Sequence, residues 1–455
     1  MPDQAIEAFA AMIRSSRMLR LLYVGFLAVL LLIPVAMMGG LVRERQERRD
    51  EAVADVSSKW GNVQSVIGPA LVVPYTRRSV ETSTDGRETT RTETRNAIFL
   101  PRLLRVRGSM DAERRSRGIF SVSVYRLGLT VEGEFARPSF SEPGLDPAAI
   151  AWDRAHLVVG ISDARAIQQE TVVTWNDRTV PFVPGTGAFT DAGTGIHAVV
   201  GLAEGGGQAR FSFPLAINGS VGVYFTPFAQ STSVELQAND GHPSFQGNWL
   251  PVERSIAADS FKARWSIPSL GRSYPQSWDA EAGMRGEIGA SRFGVELVNP
   301  VDHYRMAARS VRYAGLFILL TFATVWLIEV LAGVRVHPIQ YLLLGGALCL
   351  FYLLELSLSE HLGFPLAYGI ASLAVIGMVT GYSHAVLVEL RRSLVVVAGV
   401  TLLYGDLYVL LMNEDDALLI GSVGLFLILA AVMFATRRVD WYGSEAGSHA
   451  LAGKG

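Results

Sequence analysis

Six apolar stretches, nearly free of charge, constrain this chain more than any other feature. One stands alone at residues 21–38; five crowd into 314–331, 341–358, 362–382, 394–411 and 417–435. Each is close to the ~20 residues that a helix needs to cross a bilayer. Between the first and second lies a polar segment, residues 39–313, of domain size. The pattern predicts an α+β membrane protein: a β-rich domain inserted between one N-terminal transmembrane helix and a C-terminal bundle of five. A segment at 1–20 precedes the first span and a tail at 436–455 follows the last.

A net charge of -2, with only 18% charged residues, carries no polyanion-binding signal and argues against nucleic acid as a partner. The lipid bilayer is the partner that composition demands. The one cysteine, Cys349, falls inside the third stretch, so the large domain has no disulfide framework.

Arginines in the short loops set the orientation, because cytoplasmic loops retain Lys and Arg while long domains cross regardless of charge. Arg335, the pair Arg391 and Arg392, and the pair Arg437 and Arg438 occupy alternate loops; the connectors 359–361 and 413–416 contain no Lys or Arg. Both termini are therefore expected inside and residues 39–313 outside, in the periplasm of a bacterium. Arg43, Arg45, Arg48 and Arg49, and Arg305, Arg309 and Arg312, oppose this locally, but they flank a long translocated domain, and acids interleave with the first cluster. Residues 21–38 exceed a secretory h-region of about 7–15 residues, which favours a retained anchor over a cleaved signal. Upstream, Ile6, Phe9, Ala10 and Ile13 recur at helical spacing; an amphipathic surface helix and a frayed terminus both fit.

Past the first span, Val53, Val56, Trp60 and Val63 keep helical spacing, which predicts a juxtamembrane helix. Alternation then takes over. Phe211, Phe213, Leu215 and Ile217 precede Asn218-Gly219, and Val221, Val223 and Phe225 follow, the pattern of a type I′ hairpin. Residues 122–135 switch phase near Tyr125 and Arg126, as a β-bulge would make them do. Residues 76–84 and 87–98, around Asp85-Gly86, read as an exposed polar hairpin; it is either structural or a docking ribbon for a partner.

Catalytic patterns are weak. His156, His197, His242 and His303 show no metal-ligand spacing and read as lone histidines. The triplets 185–187 and 193–195 lack the Lys-Ser/Thr of a phosphate loop. Residues 381–385 approximate a nucleophile elbow without its last glycine, which makes an envelope hydrolase the weakest reading. No catalytic, metal or cofactor-binding residues are assigned, and no cofactor is implied. Ionisable residues inside the spans are the stronger candidates. At ~1.5 Å per residue, Glu355 lies about 21 Å along its span and Asp406 about 18 Å along its own, with Tyr352, Tyr404 and Tyr408 as expected hydrogen-bond partners. They form either a proton or cation site or polar glue between helices. Glu329, with Arg335 and His384 at similar depth, reads as a structural ion pair. Gly377 and Gly381 form a small-residue face that packs within the chain or between copies in a homo-oligomer.

Several ordered motifs are similar to those of the CreD family of inner-membrane proteins. They include Ile67-Gly68-Pro69-Ala70-Leu71-Val72-Val73-Pro74-Tyr75, Ile161-Ser162-Asp163-Ala164-Arg165, Pro184-Gly185-Thr186-Gly187, His242-Pro243-Ser244-Phe245 and Pro300-Val301-Asp302-His303-Tyr304. His337-Pro338-Ile339-Gln340-Tyr341, Ser359-Glu360-His361-Leu362-Gly363-Phe364 and Val439-Asp440-Trp441-Tyr442 continue the likeness. The resemblance implies a Gram-negative inner-membrane protein linked to envelope integrity and stress; separately, unpaired strand edges or the polar hairpin of the β-rich domain are expected to engage a periplasmic protein or envelope component. The resemblance carries over no catalytic residue.

Overall fold

The computed structural model describes residues 17–82, 88–140, 146–203, 207–298, 302–332, 336–387, 390–413 and 415–437. The N-terminal segment around Ile6 to Ile13, the Asp85-Gly86 turn, Arg335 and the tail from Arg438 lie outside them. The chain divides into two units, one comprising residues 1–48 and 301–455, the other residues 49–300.

Among the described residues, six helical spans are long and apolar enough to cross a membrane, the first of them running through α1 (Arg17–Leu30) and α2 (Leu32–Trp60), which are separated by one residue. Pro34 explains the interruption: it has no N–H to give the Leu30 carbonyl, while Leu31 N to Leu27 O (3.1 Å) and Val35 N to Leu31 O (3.3 Å) carry the ladder across. The others are α3 (His303–Ala332), α4 (Pro338–Leu362), α5 (Phe364–Leu387), α6 (Leu390–Met412) and α7 (Ala417–Thr436). Consecutive helices pack from α3 to α7, α3 closes back on α6, and α1 lies against α3 and α4. A Cβ at Gly345 would fall 2.9 Å from the Phe322 ring and closer still to Leu31, so glycine permits that crossing.

The His337-Pro338-Ile339-Gln340 motif is a helix start. Pro338 occupies the first turn, Ile339 N donates to His337 Nδ1, and His337 N donates to Gln340 Oε1 at 2.8 Å. Gly363, at φ 76°, ends α4 in a conformation that side-chain-bearing residues disfavour. Gly377 and Gly381 are exposed, and nothing described lies within 4 Å of a Cβ built on either; the buried face of α5 is instead Ala367, Ala371, Val375 and Val379.

The second unit is a pair of sheets whose apolar side chains form one core, with Trp175, Trp265, Phe213, Phe228 and Phe293 fully buried. The nine-stranded sheet runs in the order Pro243–Gly247, Phe293–Leu297, Gly222–Phe225, Gln64–Thr82, His156–Ile161, Gly195–Val199, Val183–Pro184; Glu88–Phe99 pairs beside Gln64–Thr82, and Ser277–Asp279 adds beyond it. The eight-stranded sheet runs Glu253–Ile256, Phe261–Pro268, Ser231–Ala238, Leu103–Arg117, Phe120–Phe135, Ala209–Ser220, Val172–Trp175, Arg178–Pro181. The alternation at Phe261, Ala263, Trp265 and Ile267, and at Phe293, Val295 and Leu297, points inward as expected. The polar hairpin forms as well, in register from Leu71↔Phe99 to Thr82↔Glu88.

Two local expectations fail. Asn218-Gly219 is not a hairpin turn: both residues stay in strand Ala209–Ser220, opposite Arg126 and Tyr125. Gly222–Phe225 belongs to the other sheet, and the chain changes sheet at Val221, which takes φ 64°. Gly219 is required because the Tyr125 ring lies on it; a Cβ there would stand 2.2 Å from Tyr125 Oη. The phase switch at Tyr125 is real, with Val122 and Val124 buried on one face and Tyr125, Leu127 and Leu129 on the other. No bulge accompanies it, since the register with Leu103–Arg117 is unbroken. The cause is the end of α2. Trp60 sits under Arg115 (3.5 Å) and near Arg126 (5.5 Å), and its indole donates to Tyr125 O, so a helix end covers the face that solvent would otherwise own.

Helix α2 stops at Trp60, before Val63, and the motif around Asp163 receives the chain there. Asp163, 7% exposed, accepts from Asn62 N (3.3 Å), Asn62 Nδ2 (2.9 Å) and Arg165 Nε (3.0 Å), while Gln64 Nε2 donates to Asn218 O at 2.9 Å. Burial pushes the Asp163 carboxyl up, but Arg165 and Asn62 together outweigh it and hold the pKa below the usual value. A depressed folded pKa contributes stability that is present above the unfolded value, about 3.9, and lost as pH falls through the folded one. Detergent-solubilised protein should therefore lose thermal stability below about pH 4, and Asp163→Asn should flatten that acid limb while lowering stability at pH 7. An identical acid limb in the variant would remove Asp163 from this role.

Candidate functional site

Within the membrane unit, polar groups meet along the antiparallel contact of α3 with α4. Glu360 Oε1 accepts from Tyr304 Oη at 3.0 Å and faces Arg45 Nε at 3.8 Å. Glu355 Oε2 accepts from Ser310 Oγ at 2.8 Å. Glu329 Oε2 accepts from Tyr341 Oη at 3.0 Å. The three carboxylates thus rise through one helix hairpin, each with a hydroxyl donor from the facing helix, as a carboxyl out of water requires. Arg309, also on α3, donates to the Leu410 (3.2 Å) and Leu411 (3.5 Å) carbonyls at the end of α6.

Glu355 is fully buried, and its Oε1 has no hydrogen-bond partner among the described residues. The expected tyrosines cluster with a fourth, Tyr368: Tyr352, Tyr368 and Tyr404 pack their rings within 4.6–5.4 Å of Phe351, and Tyr408 lies 5.2 Å from Tyr368. The hydroxyl bound to Glu355 is nevertheless that of Ser310, and Tyr368 Oη donates to Tyr404 O at 2.6 Å. Asp406 is half-buried on α6, its oxygens 3.2 and 3.3 Å from where a Cβ on Gly424 would stand, so glycine makes room for it under α7. His384 is exposed on α5, Glu329 Oε2 accepts from Tyr341 Oη, and Arg335, the other residue expected at that depth, lies outside the described residues.

Sequence reasoning missed Ser310 and Tyr304 because α3 begins at His303, eleven residues before the apolar stretch that marked it. The signal was present as helical spacing: Tyr304, Ala307, Val311, Ala314 and Ile318 are all buried, one stripe running straight through the polar first turns.

The β unit contains a second candidate, a cavity of about 290 Å³ at the base of the polar hairpin. Tyr75, Phe99 and Phe140 form its aromatic wall, with Phe140 edge-on to Tyr75 (5.6 Å) and Phe99 (5.2 Å). Its polar side is Asp279, Ser139, Ser277 and Arg95. Asp279 Oδ2 accepts from Tyr75 Oη at 2.6 Å, and Arg95 is held by Glu93 (3.2 Å) and Glu281 (3.3 Å). Ring faces beside a fixed carboxylate and guanidinium suit a ligand that is apolar on one side and hydrogen-bonding on the other.

The comparisons agree with the architecture. The family described as Inner membrane protein CreD matches residues 16–442. The chain is 32% identical over 417 residues to Inner membrane protein CreD of Escherichia coli (strain K12), covering 91% of each chain. Six membrane-length helices and a two-sheet domain among the described residues, together with that match, place the chain in the CreD family of inner membrane proteins.

Proposed function

We propose that the protein supports cell envelope integrity or the envelope stress response by binding, not by catalysis, and that its β domain holds a periplasmic protein or envelope component. The arginine distribution supports an arrangement with both termini cytoplasmic and residues 49–300 in the periplasm. The observation that carries the binding role is the cavity beneath the hairpin. Beside it, the edge of Glu88–Phe99 from Glu88 to Asn96 has no further strand among the described residues, so backbone donors and acceptors stand next to an aromatic pocket.

A photo-crosslinking residue at Ser139, on the cavity wall, should capture an envelope component in intact cells, whereas one at Leu270, 96% exposed and away from the cavity, should not. Asp279→Ala should reduce the Ser139 capture about tenfold, the equivalent of one charged hydrogen bond. Equal capture from both positions, unaffected by Asp279→Ala, would exclude the cavity as the binding site.

One observation favours a second reading, a proton- or cation-coupled transporter: the Oε1 of a fully buried Glu355 has no hydrogen-bond partner among the described residues.

A further inference from the structure

The two histidines that the sequence presents as solitary are neighbours. His156 opens strand His156–Ile161 and His197 lies in the adjacent antiparallel strand Gly195–Val199, where Val158 pairs with His197 and His156 with Val199. The two are thus diagonal neighbours on one face of the sheet, with ring centroids 5.8 Å apart and planes at 71°.

Their hydrogen bonds fix which nitrogens are available. His197 Nδ1 lies 2.8 Å from Gly185 O, and His156 Nδ1 lies 3.3 Å from Arg154 O. A carbonyl only accepts, so each Nδ1 carries the proton and each Nε2 keeps a bare lone pair. This is the outer-shell arrangement that orients a metal-binding imidazole. His156 Nε2 is buried and has no hydrogen-bond partner among the described residues. Gly187, at φ 58°, faces it without a side chain; a Cβ there would stand 3.2 Å from Nε2. With a metal–nitrogen bond of about 2.1 Å, two ring centroids bound to one ion lie roughly 5–6.5 Å apart, a range that includes the observed spacing.

We propose that His156 and His197 form a two-imidazole site for a borderline divalent ion of the Cu(II) or Zn(II) class, its remaining positions filled by water. Imidazole nitrogen suits these ions and not Mg(II) or Ca(II). The Pro184-Gly185-Thr186-Gly187 segment is then the support of the site: the Gly185 carbonyl aims His197, and Gly187 puts no side chain against His156 Nε2.

The test uses the full chain in detergent, stripped with chelator and given Cu(II) alone at one equivalent, or titrated calorimetrically with Zn(II). Copper resonance should show hyperfine structure from two nitrogens. The double variant His156→Asn with His197→Asn should bind each ion at least about tenfold more weakly, and His242→Asn should bind like the parent. His197→Asn alone, at a half-exposed position, should reduce the coupled nitrogens to one, and the metal-free melting temperature of each variant separates lost ligation from lost fold. Equal affinity in the parent and a folded double variant, or a copper spectrum without nitrogen coupling, would overturn the proposal.

Discussion

Gly219→Ala should destabilise the β domain by about 3 kcal/mol, the upper range for forcing a methyl into a filled core. The added Cβ would stand 2.2 Å from Tyr125 Oη and 2.3 Å from Cζ, and the ring has nowhere to retreat. Tyr125 is fully buried, and its hydroxyl donates to Gly222 O at 2.7 Å. Gly219 is not among the residues with positive φ, so no turn strain contributes. Contact and turn explanations diverge in a double-mutant cycle: Gly219→Ala with Tyr125→Ala should be less damaging than the sum of the singles by about 1 kcal/mol or more. Additive costs in urea unfolding of the solubilised protein would return Asn218-Gly219 to a turn role.

Glu355→Ala should cost about 2–4 kcal/mol of membrane-unit stability, because it empties a fully buried position and strands Ser310 Oγ. Glu355→Gln keeps the volume and an acceptor for Ser310, and should stay within about 1 kcal/mol of the parent. The same pair separates the two functional readings. If the carboxylates are polar glue, Glu355→Gln and Asp406→Asn should be made at normal levels and restore the envelope phenotype of a deletion strain. If they carry a proton or cation, both variants should fold and fail to complement. Normal folding combined with loss of function would therefore replace the binding account by the transport account.

The membrane frame was legible because the cost of leaving backbone or charge in hydrocarbon writes long apolar runs into a sequence, and six such runs became six helices. Strand alternation was equally readable where a face meets the core, as at Phe261 to Ile267. What stayed hidden were positions where a tertiary neighbour overrides local pattern. Asn218-Gly219 has turn chemistry, yet the glycine answers to Tyr125, 94 residues earlier. The phase change at Tyr125 answers to Trp60, in a helix that no strand periodicity reveals. Glu355 was found by its cost in an apolar span, while its donor, Ser310, lay in a polar turn outside it, as did both Tyr304 and its acceptor Glu360. His156 and His197 are 41 positions apart in sequence, and only the pairing of their strands makes them neighbours.

Export of the β domain is the claim on which the binding account rests, and thiol accessibility tests it directly. The native Cys349 is buried in α4 and is removed as Cys349→Ala. In that background, Leu270→Cys on the β domain and Arg437→Cys after α7 are each exposed to a membrane-impermeant maleimide on intact spheroplasts. Leu270→Cys should label without lysis and Arg437→Cys only after it. Labelling of Arg437→Cys on intact spheroplasts, with Leu270→Cys silent until lysis, would contradict the account.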